Sequence, residues 1–209
     1  MKDWNGNANS VYKTLGASNH TDKEREENDY YATDPIAIDK LVKKERLNAY
    51  IWEPAAGGCH LANRLKELGY VVRTSDIISR GPGIDLIIDF LSDKPLPVAL
   101  DSFLKTTDAD ILTNPPYKYA TEFVLQALRR VNIGARVFMF LKLTFLEGKA
   151  RYKELFNKYP PKKIWVFTGR MVCARSGDFE SMRRIGSAVA YAWFVWEKGY
   201  KGATTIGWL

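Results

Sequence analysis

The sequence predicts an α/β fold, a mostly parallel twisted sheet with helices on both faces, and three observations predict it. From Tyr50 onward, short β-rich runs alternate with helically patterned ones. Apolar runs end in turn-forming residues, Ala55-Ala56-Gly57-Gly58 in one case and Asn114-Pro115-Pro116 in another. The 209 residues are 46% hydrophobic and 26% charged, enough apolar surface for one packed core and too much for a disordered chain. Strands and helices in alternation bury both faces of a parallel sheet, and such sheets bind ligands at the carboxyl ends of their strands.

Residues 1–28 are polar, rich first in Asn, Gly and Ser and then in charge, with no sustained period; they read as a flexible N-terminal arm. Residues 29–209 read as a single domain. Asn48 to Trp52 is its first strand in the alternating series. Cys59 to Leu68 then carries Leu61, Ala62, Leu65 and Leu68 at helical spacing and stops at Gly69, which completes a strand, glycine turn, helix unit. Tyr70 to Ser75, Ile84 to Ile88 and Ala109 to Thr113 are further strands. Tyr119 to Val131 is an amphipathic helix, followed by the strand Ala135 to Leu141, the helix Ala150 to Tyr159 and the strand Lys163 to Phe167. Val189 to Trp196 is the last strand that the pattern shows. No internal repeat or low-complexity tract is present.

Composition excludes several classes. The longest uncharged apolar run, Ala188 to Trp196, is nine residues, against roughly 20 for a membrane span. The first thirty residues hold no apolar stretch of the secretory kind, so a cytoplasmic protein is expected. Cys59, Cys173, His20 and His60 form neither a disulfide framework nor a CxxC or HExxH spacing, and no metal is expected. The net charge of +7 is unevenly spread: Lys149 to Gly186 holds ten Lys or Arg against three Asp or Glu, while Asp22 to Asp34 holds six acids against two bases. A basic C-terminal segment suits a polyanion such as nucleic acid, and a solvated lysine-rich surface accounts for it equally well.

Two motifs carry chemistry. Glu53-Pro54-Ala55-Ala56-Gly57-Gly58 stands where a strand gives way to its helix, and its small residues let a ligand approach the backbone. Asp76, 23 residues beyond Glu53 at the end of the next strand, is placed to accept hydrogen bonds from ribose hydroxyls. The GxGxxG fingerprint is missing, which argues against NAD and for a nucleoside cofactor without a pyrophosphate. A tight connection alone also explains the small residues. The second motif is Asn114-Pro115-Pro116-Tyr117, directly after an apolar strand. The prolines fix φ and remove two donors. The Asn114 side-chain carbonyl and the Pro115 backbone carbonyl can each accept from one N–H of an amine, and Tyr117 offers a flat face to a planar base. Holding both N–H bonds favours the pyramidal amine that attacks an electrophile.

With these residues in place, the chain resembles the S-adenosylmethionine-dependent amino-methyltransferases, specifically the small adenine-N6 DNA methyltransferases common in bacteriophages. Asn114-Pro115-Pro116-Tyr117 matches the family's catalytic motif and Glu53 to Gly58 its cofactor motif. Asp76 matches the ribose-binding acid, and Asp89-Phe90 the pair that holds the cofactor adenine. Tyr31-Ala32-Thr33-Asp34-Pro35 resembles the segment that contacts the methionine end, with Asp34 inserted where many members place proline directly. Phe145 to Gly148, Arg170 and Ala190 to Trp196 resemble the phage group too, and the match covers roughly Tyr30 to Leu209. Cys59 departs from the family, standing where its second glycine does. The resemblance implies a Rossmann-like class I methyltransferase fold, S-adenosylmethionine as cofactor, catalysis by Asn114, Pro115, Pro116 and Tyr117, and cofactor contacts from Tyr31, Thr33, Glu53, Pro54, Ala55, Gly57, Asp76, Asp89 and Phe90.

Only the C-terminal portion is left for target recognition. Residues 168–186 form the candidate DNA-recognition segment, where Arg170, Arg175, Arg183 and Arg184 can meet phosphates or guanine edges, a solvent-facing charge being an equal reading for each; Lys118, next to Tyr117, joins them. Trp165 and Trp193 lie in strands and read as core, and His60 reads as the start of a helix. The expected activity is methyl transfer to the N6 amino group of adenine in double-stranded DNA, with the base flipped out. Single-stranded DNA or RNA adenine, a protein glutamine amide, and a non-catalytic nucleic-acid binder with a vestigial fold are the alternatives.

Overall fold

A computed structural model describes residues 32–174, 179–180 and 189–209 of the chain. Its centre is an eight-stranded sheet. Strands β2 (Tyr50–Glu53), β3 (Val71–Asp76), β4 (Leu86–Ile87), β5 (Asp110–Thr113), β6 (Arg136–Lys142), β7 (Lys163–Val166), β9 (Tyr191–Glu197) and β10 (Thr205–Trp208) lie in the spatial order β10-β7-β9-β6-β5-β2-β3-β4. Strand β9 is antiparallel to both its neighbours, β6 and β7, and every other pair in this sheet is parallel. A separate two-residue ribbon pairs β1 (Ala32–Thr33) antiparallel with β8 (Cys173–Ala174), Thr33 opposite Cys173.

The central strands β5, β6 and β9 are buried on both faces, so they read as continuous apolar runs rather than alternating ones. Along β6, Val137, Met139 and Leu141 enter one core with Phe123, Val124 and Phe194, while Phe138 and Phe140 enter the other with Leu61, Leu65 and Trp193. Each aliphatic or aromatic side chain removed from water here contributes about 1.5–3 kcal/mol. The helices that cover the faces are α1 (Ile36–Val42), α2 (His60–Glu67), α3 (Val98–Thr107) and α4 (Ala120–Arg130). At the amino edge of the sheet, buried Asp110 accepts from the backbone N–H groups of Asn48 at 2.8 Å and Arg136 at 2.9 Å, and from the Arg136 guanidinium at 3.1 Å. One carboxylate thereby joins β5, β6 and the entry to β2.

The expected strands and helices are present with ends shifted by a residue or two, apart from one helix, and α1, α3, β10 and the β1–β8 ribbon are additional. The helix expected over Ala150 to Tyr159 is α5, an α-turn at Lys149–Arg151 that continues as a π-turn through Tyr152–Phe156. Its last turn runs on to Tyr159, whose N–H donates to the Leu155 carbonyl at 2.7 Å, and Pro160, which has no N–H, ends it. Helices α1 and α3 went unread although each follows a proline, Pro35 and Pro97, the residue that pre-sets helical φ at a helix start. Strand β10 lies beyond the last strand that the pattern showed. Its Gly207 faces the Trp165 ring so closely that a Cβ would sit 2.3 Å from a ring carbon, which removes the side chain that would have marked the run as a strand. The N-terminal arm, residues 1–28, lies outside the described residues. No helix among the described residues is long and apolar enough to cross a membrane.

Trp193 is fully buried, and Trp165 packs half-buried against the same core with its indole N–H on Glu45 at 2.8 Å. Both are core residues, as expected. The Phe145 to Gly148 stretch leaves a 3-10 turn, Leu143–Leu146, and is clasped by Arg151, whose guanidinium lies 4.2 Å over the Phe145 ring and donates to the Phe145 and Glu147 carbonyls.

Candidate cofactor and substrate site

In the order β4-β3-β2-β5-β6 the crossover direction reverses between β2 and β5, and there the loops at the strands' carboxyl ends part. A cavity of about 500 Å³ opens at this place, a size that holds a nucleoside-bearing small molecule. Its walls come from four strand ends and one ribbon: Thr33, Glu53 to Ala56, Asp76, Asp89 and Phe90, and Asn114 to Tyr117. Glu53 and Tyr117, 64 positions apart in sequence, therefore meet because parallel strands put their carboxyl ends on one edge, and Thr33 joins them from the separate ribbon.

The turn after β2 is shaped by two left-handed residues. Gly57 has φ +53° and Cys59 φ +60°, and Cys59 caps α2 while 1% exposed. A non-glycine residue costs roughly 1–2 kcal/mol in that conformation, which gives the physical reason why a glycine suits this position. Gly57 is not among the residues lining the cavity; its N–H donates to Asp76 Oδ2 at 2.8 Å. Asp76 Oδ1 accepts from Ile78 N–H at 3.4 Å. The expected ribose acid is thus also the clamp that closes the turn after β2.

Glu53 is 2% exposed and lies on the cavity wall. Burial pushes its carboxyl well above the ordinary value and the charge of Asp76 adds to this, against a backbone hydrogen bond from Ala62 and the charge of Lys66. Its Oε2 is buried with no hydrogen-bond partner among the described residues. An orphaned carboxylate oxygen beside Asp76 is a place for a cationic ligand group. Asp89 folds its own turn, accepting from Leu91 N–H at 3.0 Å, and Phe90 packs edge-on to Trp52 at 5.2 Å between ring centroids.

At the other end of the cavity stands the turn after β5. Pro115 is buried and Asn114, Pro116 and Tyr117 are half-buried. Asn114 Nδ2 donates to Thr33 Oγ1 at 2.8 Å, which fixes the plane of the amide and the direction of its Oδ1 acceptor. Thr33, expected at the cofactor's methionine end, therefore also orients the expected catalytic residue. Tyr117 Oη lies 3.8 Å from Cys173 Sγ, and the Lys142 ammonium stands 4.9 Å from the centroid of the Tyr117 ring. Burial raises the Tyr117 hydroxyl's pKa well above its ordinary value, so it stays protonated and is no general base.

Of the expected DNA contacts, Lys118 is exposed and lines the cavity, and Arg170 is exposed but lies off its wall. Tyr31, Arg175, Arg183 and Arg184 lie outside the described residues. Several wall residues went unread: Ile77 and Arg80 after β3, Ile88 and Leu91 around Asp89-Phe90, and Phe123 of α4. Ile77 had a readable signal, an apolar residue directly after the strand-terminal acid. His60, expected as a helix start, begins α2, lines the cavity and meets the Phe179 ring edge-on at 5.2 Å. Burial lowers its pKa.

No protein-family model and no curated protein matches the chain. Solved structures do. The chain is similar to a protein of Agrobacterium tumefaciens described as an O-methyltransferase (13% identity, 84% of each chain, TM-score 0.53). It is also similar to a protein of Lactococcus lactis described as a hemolysin (8% identity, 83% of this chain and 91% of that one, TM-score 0.54). A third likeness is to the type IIG restriction endonuclease BpuSI (16% identity, 93% of this chain, TM-score 0.51), of whose length the match spans 27%. Together with the strand order, these likenesses show a Rossmann-like class I methyltransferase fold.

Proposed function

We propose that the protein transfers a methyl group from S-adenosylmethionine to the N6 amino group of adenine in double-stranded DNA. One observation carries this reading: Asn114, in the rigid Asn-Pro-Pro-Tyr turn, is oriented by Thr33 at the end of a cavity whose opposite half is lined by Glu53, Asp76 and Asp89.

The residues fit the cofactor. The orphaned Glu53 Oε2 suits a cationic amine, Asp76 suits a ribose diol, and Asp89-Phe90 suit a purine edge and face. When bound there, the cofactor supplies an electrophilic methyl on a sulfonium. Everything else falls to the chain. Asn114 Oδ1 and the Pro115 carbonyl accept the two N–H bonds of an exocyclic amine, which draws its lone pair out of the ring and toward the methyl. As the N–C bond forms and the S–C bond breaks, the nitrogen becomes cationic and sheds a proton to water, for which no strong base is needed. Tyr117 presents its ring, not its hydroxyl, to the base, which must leave the duplex to reach it. Arg170, Arg175, Arg183, Arg184 and Lys118 hold the DNA in this reading.

The test is transfer of tritiated methyl from S-adenosylmethionine to unmethylated plasmid DNA, to RNA and to protein in parallel. Label in DNA, recovered as N6-methyladenine after hydrolysis, is the expected result; label only in RNA or in glutamine amide moves the substrate and keeps the chemistry. No label in any acceptor, with cofactor bound, refutes the reading.

A further inference from the structure

Beyond the turn that holds the amine, β6 overhangs the site. Thr113, the last residue of β5, pairs with Met139, so Phe140, Leu141 and Lys142 run three residues past the point where β5 becomes Asn114. Alternation puts Lys142 on the face of Phe138 and Phe140, toward Tyr117. Its cross-strand partner is Tyr191, whose ring lies 6.3 Å from that of Tyr117 and stacks on Phe140 at 4.9 Å. The ammonium is thereby held over Tyr117 by a stiff strand rather than a loop.

Several other half-buried cations are spent on structure. Arg136 pairs with Glu45 and Asp110, Lys162 with Glu197, and Lys198 donates to the Val131 carbonyl at 2.7 Å. Lys142 has no carboxylate within 4 Å of its Nζ among the described residues; it faces the Tyr117 ring, and its charge is felt by the Cys173 thiol. Lys118, the residue after Tyr117, likewise has no carboxylate within that distance among the described residues and lies over Tyr119 at 5.0 Å. Glu53, Asp76 and Asp89 line the cavity together with Arg80, and two ammonium groups flank its Tyr117 end, Lys118 on the cavity wall and Lys142 off it, over the Tyr117 ring. A neutral base or a protein amide gives those cations nothing to bind. A polynucleotide brings a phosphate on either side of every base.

We infer that Lys142 is a substrate-binding residue that contacts a backbone phosphate flanking the target nucleotide, which makes the acceptor a polynucleotide rather than a free base or a protein amide. The inference rests on the proposed methyl-transfer reading. In its bound state the ammonium trades the ring of Tyr117 for the phosphate and leaves the ring to the base, a charge-assisted contact in place of a cation–π one.

The experiment compares wild type, Lys142→Gln and Lys142→Arg on unmethylated phage DNA across a salt series, with cofactor affinity measured in parallel by calorimetry. Lys142→Gln is expected to raise the KM for DNA about tenfold and to reduce the slope of log affinity against log salt by about 0.9, the value for one phosphate on duplex DNA. Lys142→Arg is expected to restore the slope, which a packing role would not require. Unchanged KM and slope in Lys142→Gln, with wild type active on DNA, overturn the inference and leave the reading standing. Cofactor affinity that falls in Lys142→Gln while the slope holds also overturns it, placing Lys142 on the cofactor's own carboxylate. A wild-type protein that binds cofactor yet methylates no nucleic acid refutes both.

Discussion

Asn114 donates its Nδ2 hydrogen to Thr33 Oγ1 at 2.8 Å across 81 residues of sequence, and Thr33 itself pairs with Cys173 in the β1–β8 ribbon. The turn proposed to hold the amine is therefore braced by a ribbon from two distant parts of the chain, and Cys173 closes the brace on the Tyr117 hydroxyl side at 3.8 Å. Rotation of the Asn114 amide would move its acceptor off the amine. Misplacement of a reacting group by about 1 Å can cost on the order of 100-fold in rate. Thr33→Val, which keeps the shape and deletes the acceptor, is expected to lower kcat about 10- to 100-fold with little change in thermal midpoint. Thr33→Ser restores it. Asn114→Ala should bind cofactor normally and turn over almost nothing, since its acceptor acts mainly in the transition state. Single-turnover kinetics with calorimetric cofactor titration check both, and near wild-type turnover in Asn114→Ala would end the proposed mechanism.

Asp76 has two tasks, closing the turn through Gly57 N–H and offering acceptors to the cavity. Asp76→Ala should weaken cofactor binding by about 1.5 to 3 kcal/mol, the range for hydrogen bonds to a charged group. Asp76→Asn keeps an oxygen for Gly57 and should lose less. Equal affinity in wild type and Asp76→Ala, read by calorimetry, would take Asp76 out of the site.

What the sequence made legible follows from the distance over which each signal acts. Asn114 to Tyr117, Glu53 and Asp76 were legible because each sits where an apolar run meets a turn, a pattern contained in about ten residues. The brace from Thr33 and Cys173 was not, since two-residue strands lie below any period and their pairing joins residues 140 positions apart. Lys142 lies one residue past the strand that the pattern gives, Ala135 to Leu141; only the three-residue overhang of β6 past β5 carries it to Tyr117. Gly57 was expected on the cofactor, yet its N–H is taken by Asp76, a relation that needs the register of β2 against β3.

Glu53 gives the protein a pH dependence with a defined sign. Its folded pKa lies well above 4.5, chiefly through burial, so the folded state without cofactor holds a proton that the unfolded chain releases earlier. That contribution to stability is fully present below the unfolded value and is lost as pH rises through the folded one. A cationic amine that pairs with the carboxylate should bind more tightly as pH rises through the same window. Glu53→Gln is expected to flatten both trends, measured as unfolding midpoint and cofactor affinity from about pH 5 to about pH 8. A wild-type affinity without slope over that range would detach Glu53 from the cation.

Asp110 lies at the sheet edge away from the site, and its loss should affect folding alone. Asp110→Ala leaves the Asn48 and Arg136 N–H groups without their acceptor and the Arg136 guanidinium with Glu45 only, at 3.3 Å. Removing one member of a buried ion pair costs about 3 to 5 kcal/mol. Urea unfolding should show that loss, with cofactor affinity of the folded fraction unchanged; a loss under 1 kcal/mol would mean that water replaces the carboxylate at little expense.

Tyr117 separates two mechanisms by its ring and its hydroxyl. Were the hydroxyl a base, it would have to ionise, but burial pushes its pKa well above the ordinary value and Cys173 stands 3.8 Å from its oxygen. Tyr117→Phe removes only the hydroxyl and its contact with Cys173, so kcat should stay within about threefold of wild type, the effect of roughly 0.7 kcal/mol. Tyr117→Ala removes the ring as well, taking away both the face for the flipped base and the seat of the Lys142 ammonium. DNA affinity should then fall by about 1 to 3 kcal/mol, the worth of one stacked base, and the flipped base should lose its fixed distance from Asn114. Stopped-flow fluorescence with 2-aminopurine at a target adenine reports the flipping directly: a bright, unstacked signal in Tyr117→Ala and a quenched one in wild type and Tyr117→Phe are expected. A Tyr117→Phe variant as impaired as Tyr117→Ala would assign the chemistry to the hydroxyl and remove stacking as the reason for an aromatic residue at this position.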